Sequence, residues 1–453
     1  MNSPFFNKNK NVIKVCEVIL NKYPEFDSDE FTEENVFKTV FQKEKYDYFK
    51  IKNILSDIYQ LSEQFLKTTA ALNKGFENDI DLLNNLHERE LNSVYIQREK
   101  QLDVKMKNSL RDESYFYSKY LLSKTNTSHF KFEKSGYLFD QIQNEFDSFL
   151  DYSLTGLLRL YSKMLHNKNH GNVNFNMEMF DNVFEYIKDK DFENNPSNKI
   201  YKTIISLELS KEEKYYRELL RLKEKYESVI SKEDMYYILL IINSFSVYKL
   251  KLGDESYYMD RFLSFKEILD RKFIPDNYFL FVNFISTFTS ACMAGQTEWA
   301  EKFLSEHLKS VSPKEETSNT FNYCKGFLEY CLKNYDSALE YFAKTSFKLF
   351  ITKVMVKSYT LRIYYEQNMY EQTFSAIDSF RHYLRSEKQI SEDLKIAHYE
   401  FLRFLNELTK LKIDNIKKKS DPKLIGLKKE IEKMSSNPLG AKNWLIKKAA
   451  NFI

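Results

Sequence analysis

Along most of the chain apolar residues recur at every third or fourth position, with polar and charged residues between them. That spacing gives a helix one buried face. Val12, Ile13, Cys16, Ile19 and Leu20 make the first such face, and Tyr23-Pro24 stops it, because the residue before a proline is pushed out of the helical region. Thr32 followed by two acids predicts an N-cap for a helix carrying Val36, Phe37, Val40 and Phe41. A longer stripe of Ile51, Ile54, Leu55, Ile58, Leu61, Phe65 and Leu66 runs until Asn73, Lys74 and Gly75 end it. From Phe76 to about Lys124 neither Gly nor Pro occurs and charges of both signs are interspersed, which predicts a long solvated helix pair jointed at Arg111 and Asp112. Asn126, Thr127 and Ser128 predict a loop, and Phe139 to Leu165 a strongly apolar helix.

Polar joints at 166–176 and 189–198 follow, and after the second the predicted helices come in pairs. Ser210 with Glu213 and Ser231 with Asp234 match the capping box or its acidic variant, so new helices are expected near Lys211 and Lys232. Residues 234–269 read as a hairpin turning at Gly253, and Ser391 with two acids opens a last long helix to about Leu411. The clearest unit is Phe321 to Phe347. Gly326 and Tyr330 lie on its first helix, Lys333 and Asn334 form the turn, and Tyr335, Ala338, Leu339 and Phe342 stripe the second. A shift of 35 residues carries Tyr330 onto Tyr365, Tyr335 onto Tyr370, Leu339 onto Phe374 and Phe342 onto Ile377. Upstream, Gly295, Thr297, Ala300 and Leu304 fit the same turn and second helix, with Pro313 closing the unit.

This layout resembles the tetratricopeptide repeat over about Asp234 to Leu411, with departures at Lys357, Thr360 and Thr373. The resemblance implies an all-α fold: a right-handed α-solenoid of antiparallel helix pairs, preceded by a helical N-terminal half. It divides the chain into a helical region over 1–195, the helix-pair array over 196–411 and a basic tail or cap over 412–453. In such proteins the first helix of each pair lines a concave groove. By that likeness Tyr323, Phe327, Tyr330, Tyr359, Arg362 and Tyr365 are the candidate partner-binding residues. Rings at helical spacing also serve as packing between repeats, so each of these has a core reading beside the binding one. A chaperone-type carboxylate clamp is not matched beyond Arg362.

Composition supports the helical reading. The 9 Gly and 7 Pro amount to about 3.5% of 453 residues, against roughly 12% in an average protein, which leaves little material for the turns of a sheet. The net charge of +3 is unevenly placed: Lys410 to Ile453 holds twelve lysines and four acids. Lys417, Lys418 and Lys419 could meet nucleic acid or an anionic surface. A helix over 443–453 with Trp444, Leu445, Ala449 and Phe452 could instead cap the array.

Chemistry-bearing patterns are sparse. Cys16, Cys292, Cys324 and Cys331 have no C-x-x-C spacing and read as small core residues. His166 and His170 have the i, i+4 spacing of a shared metal, but no glutamate follows His166 as in metalloprotease helices. No Glu stands three positions before any of the seven histidines, and no glycine-rich phosphate loop, nucleophile elbow or kinase signature occurs. Charges at Lys14 and Glu17 interrupt any signal-peptide core, so a cytoplasmic protein is expected. The uncharged stretch Asn277 to Thr297 is long enough to span a bilayer, yet its six polar residues and its acidic flanks argue for a packed helix. The expectation is a non-enzymatic scaffold or adaptor that needs no cofactor or metal and holds a peptide or protein partner in the groove. Nucleic-acid or anionic-surface binding through the tail is the alternative.

Overall fold

The computed structural model describes residues 7–23, 26, 31–129, 135–171, 173–274, 279–414 and 421–450. By their internal contacts the residues form two compact units, Met1–Ser109 with Glu113–Ser153, and Leu110–Asp112 with Leu154–Ile453. The boundary expected at 195/196 falls inside the second unit. Helix is nearly the whole content, and the strands found among the described residues are the two-residue β1 (Phe279–Leu280) and β2 (Val311–Ser312), paired in parallel.

In the first unit α1 (Lys10–Leu20), α2 (Glu33–Val40) and α3 (Tyr48–Leu72) share a core of Val12, Val15, Val36, Phe37, Ile51 and Ile54. Thr32 caps α2 as expected, its Oγ1 accepting from the Asn35 amide at 3.3 Å. The region expected to be one helix pair is three helices, α4 (Phe76–Glu88), α5 (Asn92–Lys107) and α6 (Glu113–His129). Its extra break falls at Glu90, which adopts φ 59° without a glycine. Asn126, Thr127 and Ser128 are not a loop but the last turns of α6. Asn126 accepts from the Tyr95 hydroxyl at 2.7 Å and Thr125 donates to Asn84 at 3.1 Å, so these polar side chains bond other helices instead of breaking their own. Next comes α7 (Ser135–Gly171), which crosses from the first unit's residues into the second's.

The second unit continues with α8 (Phe180–Ile187), α9 (Pro196–Ser210), α10 (Glu213–Tyr226), α11 (Lys232–Leu252), α12 (Tyr257–Asp270), α13 (Phe281–Met293) and α14 (Thr297–His307). It is completed by α15 (Thr317–Cys331), α16 (Tyr335–Ala343), α17 (Phe350–Glu366), α18 (Tyr370–Ser386), α19 (Glu392–Ile413), α20 (Pro422–Glu432) and α21 (Ala441–Ala450). From α9 to α14 and again from α15 to α21, each helix packs on the next, and α13 also packs on α15. Ser231 caps α11 through a 3.1 Å bond from the Asp234 amide. Ser210 does not open α10: Lys211 turns left-handed at φ 55°, the Ser210 Oγ accepts from the Glu212 amide, and the helix starts two residues later.

Turns recur at the spacing seen in the sequence. Lys333 (φ 63°) and Asn368 (φ 58°) are both left-handed and lie 35 positions apart, with Gly295 (φ 77°) in the turn before them. Between α15 and α16 the backbones come close at Gly326, where an added Cβ would stand 2.8 Å from the Phe342 ring and 3.2 Å from the Ala338 carbonyl. Within the uncharged stretch Phe281–Met293 form α13, whose Phe284, Ile285, Phe288 and Ala291 are buried against α12, α14 and α15. Thr287, Thr289 and Ser290 sit there by donating to carbonyls one turn back. Among the described residues no helix is long and apolar enough to cross a membrane.

Candidate functional site

The residues singled out for a groove lie in the core, with Tyr323, Phe327, Tyr330 and Tyr359 in one cluster and Tyr365 in the next. Tyr323 and Phe327 on α15 and Tyr359, Arg362 and Tyr365 on α17 are all buried, and Tyr330 is half-buried. Phe327 meets the edge of Tyr359 at 4.9 Å and Tyr330 lies 5.1 Å from the same ring. Burial pushes the phenols of Tyr323, Tyr330, Tyr359 and Tyr365 up, so they stay protonated. The open anchors expected at Tyr330 and Tyr365 are therefore not what the structure presents.

Tyr323 and Phe327 are buried against Phe342, Phe347 and Tyr359, whereas Arg362 and Tyr365 are covered by the segment after α20, which runs back over α11 and α17. Asn437 donates its amide to the Lys251 carbonyl at 2.8 Å and its side chain to the Leu250 carbonyl at 3.1 Å. Those two carbonyls belong to the last turn of α11, where a helix leaves acceptors unsatisfied. Asn443 donates to the carbonyl of Gly253 at 2.7 Å. Gly253 is doubly required, by its φ of 100° and by Asn443, whose Oδ1 would stand 3.0 Å from a Cβ. On the other side Trp444 packs edge-on to Tyr365 at 5.3 Å and donates to Glu366 at 3.0 Å, and Lys448 pairs with the same carboxylate at 2.6 Å. Leu424, Leu427, Ile431, Met434, Ala441, Leu445 and Ala449 join Phe401, Leu402 and Leu405 in one buried cluster. Lys417, Lys418, Lys419 and Phe452 lie outside the described residues.

Under this segment a cavity of about 420 Å³ opens between α11, α12, α13, α17, α19 and residues 436–440. Val247, Met293, Ile351, Met355 and Leu394 make its wall apolar, and Phe327 and Tyr359 reach it from the candidate set. Arg261 lines it from α12 and Lys251 from α11, and among the described residues no acidic one does. The Arg261 Nε is buried without a hydrogen-bond partner, and its closest ring is Phe265 at 5.6 Å. Burial lowers the Arg261 pKa, with the Tyr258 and Tyr359 hydroxyls acting the other way. His398 enters from α19, buried, with Nδ1 unpartnered; burial and then the Arg362 charge bring its pKa down to about 4, so it is neutral near pH 7. Arg362 stands between the rings of Tyr359, Phe401 and Trp444 and spends Nη2 on the Leu439 carbonyl.

Elsewhere in the second unit the two helical histidines find an acid. Glu208 of α9 accepts from His166 Nδ1 at 2.9 Å and from Asn169 at 2.8 Å, and also pairs with Lys211; His170 Nε2 lies 4.0 Å from it and bonds Ser244 at 2.9 Å. These three ligand-type residues lie within 4.8 Å of one another. Burial would raise the Glu208 pKa, but bonds from His166, Lys211 and Asn169 outweigh it and hold it at about 2. With a lysine and an amide already on the carboxylate, the arrangement is that of a satisfied buried acid.

Sequence reasoning missed Arg261 and His398, since each is an isolated polar residue on an apolar helix face with no motif around it. A signal did exist: both interrupt stripes that are otherwise apolar or aromatic. Comparison of the chain with protein-family models, curated proteins and solved structures finds no match.

Proposed function

We propose that the protein is a non-catalytic binding module, a tetratricopeptide-like right-handed solenoid of antiparallel helix pairs that holds a peptide or protein segment. The 35-residue recurrence and the small residues where α15 meets α16 support the architecture. One observation carries the function: the face formed by α11 and α17 already grips a stretch of backbone. Carbonyls of Leu250, Lys251 and Gly253 take donors from Asn437 and Asn443, and Arg362 holds the Leu439 carbonyl between aromatic rings. Main-chain polar groups fixed at both edges of an aromatic floor are what peptide recognition uses. A partner segment on this face competes with residues 436–450 of the chain itself.

The second reading, nucleic acid on the basic tail, has less to stand on. Lys412 donates to the Tyr365 carbonyl, Lys442 to that of Met434, Lys447 to Glu255 and Lys448 to Glu366, so four of its cations are already engaged. The test is capture on the full immobilised chain, identification by mass spectrometry, and calorimetric titration of the captured segment. A protein segment whose affinity changes less than about tenfold between roughly 50 and 200 mM salt supports the proposal. Retention of RNA or anionic vesicles alone, with affinity falling by about a thousandfold or more over that range, overturns it.

A further inference from the structure

We propose that the cavity holding Arg261 binds a small amphipathic monocarboxylate, with the acid group on Arg261 and an acyl body along the apolar wall. This goes beyond the peptide-binding reading and does not depend on it.

The argument begins with an uncompensated charge. A guanidinium cannot shed its proton near neutral pH, so a buried arginine needs a carboxylate or several acceptors. Arg261 is half-buried, and its inner end has neither: among the described residues no acidic one lines the cavity, its Nε is buried without a partner, and the Phe265 ring lies 5.6 Å away. Its surroundings add to the imbalance, because Arg362 is buried nearby on α17, and the Tyr258 phenol feels both guanidinium charges. A fold gains nothing from such a group, whereas an anion entering the cavity converts it into a charge-assisted, bidentate pair.

The remaining walls narrow the class. His398, deeply buried and neutral, brings an unpartnered Nδ1 that donates in the tautomer carrying its proton there, and Tyr258 lines the same space. Arg261 and the exposed Lys251 are the cations of the lining, and of the two only Arg261 keeps a buried nitrogen without a partner, which suits one carboxylate. The hydroxyls of Thr289 and Ser290 are spent on their own helix. Val247, Met293, Ile351 and Met355 supply only apolar contact, so the rest of the ligand is hydrocarbon. About 420 Å³ is near the small end of ligand pockets and leaves room for a body of roughly ten carbon atoms.

The experiment uses the full chain and sodium decanoate below its micelle concentration, with decanol and decylamine as uncharged and cationic controls, read by calorimetry and by thermal shift. Decanoate is expected to bind at one site per chain and raise Tm, at least tenfold more tightly than either control. Arg261→Met is expected to lose that binding at least tenfold while its unliganded Tm rises, since an unpaired charge has been removed. A purely structural arginine would move Tm the other way. Should Arg261→Met not fold, Met293→Trp carries the test by filling the cavity without touching the charge. Lost decanoate binding in Met293→Trp supports the proposal. No binding of decanoate by the unmodified chain, equal binding of decanol, or unchanged decanoate affinity in either variant overturns it.

Discussion

Nη2 of Arg362 donates to the carbonyl oxygen of Leu439 at 2.8 Å, joining residues 77 positions apart. Leu439 sits in a left-handed conformation at φ 52°, which aims its carbonyl at the guanidinium as the chain turns into α21. The bond shows why Arg362 is buried without an acid: it holds main chain, with three aromatic rings around the charge. Residues 437–449 are thereby part of the second unit's core.

Trp444→Ala removes a ring packed on Tyr365 and Phe401 together with a bond to Glu366. It should cost roughly 3 kcal/mol. It should also loosen the segment locally, so that the Asn437 amide, bonded to Lys251, exchanges with solvent much faster. Chemical denaturation and hydrogen exchange check the two effects separately. Unchanged exchange at Asn437 would mean that α11 alone holds the segment.

Gly326→Ala places a methyl 2.8 Å from the Phe342 ring. A loss of roughly 1–3 kcal/mol is expected in the urea midpoint, with the slope unchanged. Phe342→Leu should recover part of that loss when combined with it, a positive coupling measurable in a double-mutant cycle. Ala338→Leu, at a fully buried position facing the same turn, should cost a similar amount.

Protonation of His398 destabilises the fold. Its folded pKa of about 4 lies below the ordinary value of 6.5, so the unfolded chain binds the proton first. Stability is therefore complete above pH 6.5 and falls as pH drops toward 4, by roughly 3 kcal/mol in all. His398→Leu should flatten that part of the profile, read as the difference in urea midpoint between pH 7 and pH 4.5 for each protein.

Glu208 acts in a lower window. Its folded pKa of about 2 stands below the ordinary 4.5, and its contribution is lost as pH falls from 4.5 toward 2. Glu208→Gln should remove a loss of roughly 3 kcal/mol there while leaving the window of His398 untouched. If zinc raised Tm in the unmodified protein but not in this variant, the cluster with His166 and His170 would be a metal site after all.

What could be read from the sequence followed from local rules. Helix faces, the caps at Thr32 and Ser231, and the turns at Gly253, Gly295 and Lys333 rest on residues within a few positions of one another, and the structure shows each. Glu90 broke a helix without the usual breaker, and Ser210 ended one where a start was expected, because neither residue type fixes its own backbone. The rings of the candidate groove were found as a set, but their burial was not legible. For Arg362 and Tyr365 it depends on the segment held by Asn437, Asn443 and Trp444, which lie from 78 to 190 positions away from the groups they bond. Arg261 and His398 interrupt apolar stripes, a local signal, but their meeting was not legible for the same reason, since the cavity they line exists only once distant helices meet.

The return of residues 437–449 onto α11 has a consequence for how the molecule is made. At roughly 5–20 residues per second, the 190 positions between Gly253 and Asn443 take about 10–40 s to synthesise. For that interval the carbonyls of Lys251 and Gly253 have emerged without the donors of Asn437 and Asn443, and α17 then emerges with Tyr365 and Arg362 uncovered by Trp444 and Leu439. The nascent chain therefore carries an aromatic surface with hydrogen-bonding groups that only later translation can close.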